Sequence, residues 1–102
     1  MPKIYQYFGL AVLIYTNDHQ PIHVHVRDAS GRQCIIEIIL KDKKIIDIRK
    51  RKNEKGKELP STQCNTALKL VTIKAEELVR AWHQIKNGTW EQKTIVITRR
   101  IV

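Results

Sequence analysis

Histidine is the side chain of this chain best suited to chemistry near neutral pH, and three of its four histidines fall close together. The stretch N-D-H-Q-P-I-H-V-H-V-R, residues 17–27, holds His19, His23 and His25, and His83 stands alone downstream. An imidazole titrates near about 6.5, so a pair can hold one protonated and one neutral member, and the neutral ring is a common metal ligand. Three readings follow. The histidines are ordinary polar residues on a strand face. They act as an acid–base pair on a phosphodiester, with His23 and His25 as the pair and His19 and His83 as further candidates. Or His19, His23 and His25 hold a divalent metal such as zinc, with Glu37 or His83 as a further ligand. No H-E-x-x-H spacing is present to favour the last reading.

These residues need an element to position them, and the pattern supplies one. Ile22-His23-Val24-His25-Val26 alternates apolar with polar, and three of the five residues are β-branched. That is the signature of a half-buried strand. Ile22, Val24 and Val26 point to the core, and His23 and His25 sit on the other face, roughly 6.5–7 Å apart at Cα. On an exposed face, replacing either histidine by alanine would change stability by no more than about 0.5 kcal/mol. Pro21 suits the first residues of a strand, and Asn17-Asp18 reads as turn chemistry.

Around this stretch the periodicity predicts an α+β domain. It has a mostly antiparallel sheet of five or six strands and one long amphipathic helix packed on it. Residues 1–50 form a β-meander carrying the histidine motif. Strands fall at residues 3–8, 10–16, 22–26, 32–40 and 44–49, with Gly9 and Lys41-Asp42-Lys43 as tight connections. Parity places Ile36 and Ile38 with Val24, and Glu37 and Asp47 with the histidines. Residues 51–60 belong to a basic loop whose charge begins at Arg49. Residues 61–88 form the helix, since Leu68, Val71, Ala75, Leu78, Trp82 and Ile85 recur at steps of three and four. The β-branched residues within 67–73 make this its weakest part. Asn87-Gly88 ends it. Residues 94–102 are a terminal strand too apolar to stand alone. It closes the sheet edge or pairs with a second copy as a homodimer.

The 102 residues make one domain with a modest core, and 42% hydrophobic content beside 28% charged argues against disorder. A net charge of +9 points to polyanionic partners, either the RNA or DNA backbone or a small acidic protein. Arg49, Lys50, Arg51, Lys52, Lys55 and Lys57 are the candidate nucleic-acid-binding residues. No aromatic stacking platform accompanies them, so binding would be led by phosphate contacts. Two cysteines without paired spacing suit a reducing cytoplasm. No apolar run approaches about 18 residues, so no membrane association is expected.

The motif His19-Gln20-Pro21-Ile22-His23-Val24-His25-Val26, with Ala81-Trp82-His83 on the helix, resembles the family of small bacterial domains of unknown function numbered 4160. The resemblance covers roughly residues 1–88, and the basic loop and terminal strand depart from the usual pattern. It implies a toxin–antitoxin-like setting and carries no assigned activity. The expected function is a small, basic, nucleic-acid-associated protein of toxin–antitoxin type, RNase-like through its histidine pair. The alternatives are a non-enzymatic module binding an acidic partner, and a histidine metal protein. Nothing in the sequence establishes turnover.

Overall fold

The computed structural model describes residues 2–52 and 56–100. The elements run β1 (Lys3–Tyr7), β2 (Leu10–Leu13), β3 (His23–Arg27), β4 (Gln33–Lys41), β5 (Lys44–Arg51), α1 (Ser61–Ile73), α2 (Ala75–Asn87) and β6 (Ile95–Ile97). They build an α+β fold around one mixed sheet of order β5-β4-β3-β2-β1-β6. The first five strands form an antiparallel meander, and β6 joins its edge parallel to β1. The terminal strand therefore pairs within the sheet. It spans three residues rather than nine, and its end at 101–102 lies outside the described residues.

Two hairpins set the register. Phe8 and Gly9 both take positive φ, as do Asp42 and Lys43, so each turn twists in the sense that suits the adjoining strands. Between β3 and β4 the Asp28 carboxylate accepts hydrogen bonds from the Ser30 and Arg32 amides, the Ser30 hydroxyl and the Arg32 guanidinium. The resulting ladder pairs Val12 with Val26, Val26 with Cys34 and Val24 with Ile36. These residues share one sheet face, and they join Leu70, Val71, Leu78 and Trp82 of the helices in a single buried core. Parity holds for the second face too: His23 lies beside Glu37, Glu37 beside Arg49, and Ile39 beside Asp47.

Three expectations change. The apolar run of residues 10–16 leaves the sheet after Leu13. There the Tyr15 amide donates to the Asp18 carboxylate at 2.9 Å and the Asp18 amide to the Tyr15 carbonyl at 3.1 Å, a local turn that competes with the strand ladder. The single long helix of residues 61–88 is two helices, interrupted at Lys74. Val71, Thr72 and Ile73 are consecutive β-branched residues, and the Thr72 hydroxyl donates back to the Leu68 carbonyl at 2.7 Å. Both features weaken a helix just before the break. Gly88, at positive φ, closes α2 as its sequence position requires.

The third change concerns the basic loop. β5 extends to Arg51, so Arg49, Lys50 and Arg51 belong to a strand. Lys52 follows it as coil, Lys55 lies outside the described residues, and the chain returns beside β4 through the Gln33–Glu58 bridge.

The helix pair gives a direct check on which face is buried. Leu78→Ala should destabilise by about 2–5 kcal/mol, because a fully enclosed side chain is removed. Ile73→Ala, at a position 54% exposed, should stay within about 0.5 kcal/mol of the parent. Urea melts of the two variants measure the contrast.

Candidate functional site

β3 delivers His23 and His25 to the face opposite Val24 and Val26, as alternation demands. Their environment is not the exposed face that this implied. His23 is 4% exposed and His25 8%, so both are buried. The segment between β2 and β3 covers them, and Trp82 closes in from α2. Tyr15 stacks at a tilt on His25 with ring centroids 4.3 Å apart, and Trp82 lies 5.5 Å from His23. The two imidazoles are 5.1 Å apart, edge to face.

The covering segment brings a third group. Asp18 Oδ1 lies 3.4 Å from both His23 Nε2 and His25 Nε2, and Oδ2 lies 3.3 Å from His25 Nε2. Those three side chains offer ligand atoms that all lie within 4.8 Å of one another. The arrangement is held from outside. The Tyr15 amide orients the Asp18 carboxylate. Lys86, near the end of α2, donates to the Thr16 carbonyl at 3.2 Å and to the Asp18 carbonyl, which pins the segment to the helix. Lys86 also lies over the Trp82 ring at 4.6 Å. The Gln20–Pro21 peptide is cis, and the Pro21 carbonyl accepts a hydrogen bond from His23 Nδ1 at 2.9 Å. With Nδ1 bonded to that carbonyl, Nε2 is the ring nitrogen of His23 that faces Asp18. His25 Nδ1 has no partner among the described residues, so no second hydrogen bond fixes its tautomer.

Burial pushes the His25 pKa below its ordinary value. Asp18 pulls the other way, while His23 and Arg51 push it further down. His25 is therefore held neutral, the form that binds a metal or accepts a proton.

Of the candidates named from sequence, the structure brings His23 and His25 together and leaves His19 and His83 exposed, outside the cluster. Glu37, one strand over from His23, faces Arg49 and Arg51 instead, at 3.5 and 3.7 Å. The basic residues divide. Arg49 and Arg51 point to the histidine face, beside Glu37 and Ile35. Lys50 alternates to the helix face and pairs with Glu58 at 2.9 Å. Lys52 and Lys57 are exposed in the segments that flank the loop. Asp18 is the site residue that sequence reasoning passed over as a turn former. Its signal was a carboxylate placed just ahead of a histidine strand.

Fold and site together define a small α+β domain with a two-histidine, one-carboxylate cluster under a loop on its sheet. The chain belongs to the family described as a domain of unknown function (DUF4160), whose model matches residues 9–83 and so spans all three cluster residues. No curated protein and no solved structure matches it.

Two measurements test the site. His23→Ala should destabilise by about 1–3 kcal/mol, since it empties a buried position and leaves the Pro21 carbonyl unpaired. The second is pH dependence. The unfolded chain binds the His25 proton more tightly than the folded protein does. Stability in the presence of a chelator should thus be full above the ordinary histidine pKa of about 6.5 and fall as pH drops through it toward the lower folded value. Thermal melts between about pH 7.5 and 5.5 should show a shallower fall for His25→Gln than for the parent.

Proposed function

We propose that the protein binds a divalent transition metal, with zinc as the best fit, through Asp18, His23 and His25. One observation carries the reading: a single Asp18 oxygen, Oδ1, lies 3.4 Å from both Nε2 atoms, and one ligand atom from each of the three residues lies within 4.8 Å of the others. Those separations are long for charge-assisted hydrogen bonds, which run about 2.7–2.9 Å. On these two edges they match the ligand-to-ligand separation of about 3.3–3.4 Å in a tetrahedron with metal bonds near 2.0–2.1 Å. The Nδ1 bond from His23 to a backbone carbonyl is the outer contact that metal-bound histidines ordinarily make. Three protein ligands leave one position of a tetrahedral zinc for water or substrate, where the metal acts as a Lewis acid. The chain's own residues would hold the ion, keep His25 neutral and shield the centre with Tyr15 and Trp82.

Within this reading the acid–base pair recedes, because two histidines buried beneath a loop do not both reach a phosphodiester. The RNA or DNA backbone remains the partner class that the net charge of +9 supports. A pairing with a small acidic protein of toxin–antitoxin type rests on that same charge.

Zinc titration with calorimetry and elemental analysis should give one ion per chain. Asp18→Ala, His23→Ala and His25→Ala should each weaken binding by at least about tenfold, with His83→Ala as the unaffected control. Zinc should also raise the melting temperature in proportion to the logarithm of its free concentration. A parent protein that takes up no zinc, cobalt or nickel would remove the reading.

A further inference from the structure

The histidine face carries more than the cluster. Register puts Arg27 on the same side of β3 as His23 and His25, and puts Arg49 and Arg51 two strands away on the same side of β5. Arg27 donates to the Tyr15 hydroxyl at 3.3 Å, and that ring stacks on His25. Between β5 and the cluster stands Glu37, at 9% exposure the only acidic residue in the buried set of described residues.

Glu37 is shared. Arg49 Nε approaches one of its oxygens at 3.5 Å and Arg51 Nη1 the other at 3.7 Å. Neither contact has the short, forked geometry of a strong arginine–carboxylate pair. Both guanidinium side chains stay accessible, at 61% and 39% exposure. Two residues apart on one strand, they stand roughly 6.5–7 Å from each other at Cα and can converge on a single group. A carboxylate offers two oxygens to such a pair; a phosphate offers more, and arginine forks fit it well.

We propose that Arg49 and Arg51, with Glu37 as an internal competitor, form a phosphate-binding site beside the Asp18–His23–His25 centre, so that the ligand of this face is a phosphate ester. The proposal rests on the metal reading for what lies next to the phosphate, and on register for the arginines. Glu37 holds the two guanidiniums extended over the face when no anion is present, and a phosphate takes over their free N–H donors. The same chemistry comes from two sources, a terminal phosphate monoester or an internal phosphodiester of a nucleic acid strand.

The test uses the full chain loaded with zinc, its metal content measured first. Binding of adenosine 5′-monophosphate and of a short single-stranded RNA with free hydroxyl ends is followed by calorimetry at low salt. The Arg49→Gln, Arg51→Gln double variant should lose at least about tenfold in affinity for whichever probe binds, with zinc content unchanged. Glu37→Gln, close in shape, should tighten binding, since it removes the competing charge. Lys69→Gln, on the exposed side of α1, should change little. Preferred binding of the monophosphate identifies a terminal phosphate as the ligand, and preferred binding of the RNA identifies the diester backbone. Both support the proposal. It is overturned if neither probe binds zinc-loaded protein, if the double variant binds as well as the parent, or if Glu37→Gln weakens binding. Absence of zinc uptake is a separate result, and it sinks the metal reading.

Discussion

Strand β3 is buried on both faces, and the rest of the structure is arranged to permit that. One face is simple: Val24 and Val26 meet the helices through an apolar core. The other face carries two imidazoles, which cannot be taken from water without partners. The protein supplies them from the segment ahead of the strand. The Asp18 carboxylate reaches both rings, the Pro21 carbonyl accepts a hydrogen bond from His23 Nδ1, and Tyr15 and Trp82 cover the ring surfaces.

Several remote features serve this one constraint. β2 stops at Leu13 so that the chain can turn back over the histidines. The second helix begins afresh after Lys74, with Leu78, Trp82 and Ile85 buried, and it carries Lys86 to the loop carbonyls. At the other end of α2, Tyr5 donates to Glu77, which ties β1 to the helix. The polar cluster is thus held from the loop, from β3 and from α2. The Asp18 carboxylate spans both Nε2 atoms at 3.3–3.4 Å, the contact on which the proposed metal site rests.

Charge is distributed with the same logic. A run of basic residues reads in sequence as one solvated loop. On a strand it splits by parity, so Arg49 and Arg51 join the histidine face and Lys50 joins the helix face. Glu37 balances the two arginines within the protein. A +9 chain thus places its directed cationic groups beside the cluster instead of concentrating them all on a loop.

Much of the fold was legible in the sequence because it depends on local periodicity. The alternation of residues 22–26 determined which side chains share a face, and Gly9 and Lys41-Asp42-Lys43 marked the hairpins, although Phe8 joins the first turn rather than the strand. Parity alone placed Glu37 and Asp47 with the histidines. The helix break at Lys74 was only hinted at by the β-branched residues before it, which weaken a helix without fixing where it stops. The burial of His23 and His25 was not legible at all. Alternation says which face a residue takes, but not what covers that face. Asp18 looked like a turn former because its role depends on the loop folding back across β3, a contact made in three dimensions. The sequence by itself determined the strand and its two faces; the tertiary structure decided that the polar face is closed, that Asp18 rather than His19 completes the cluster, and that His83 stays outside it.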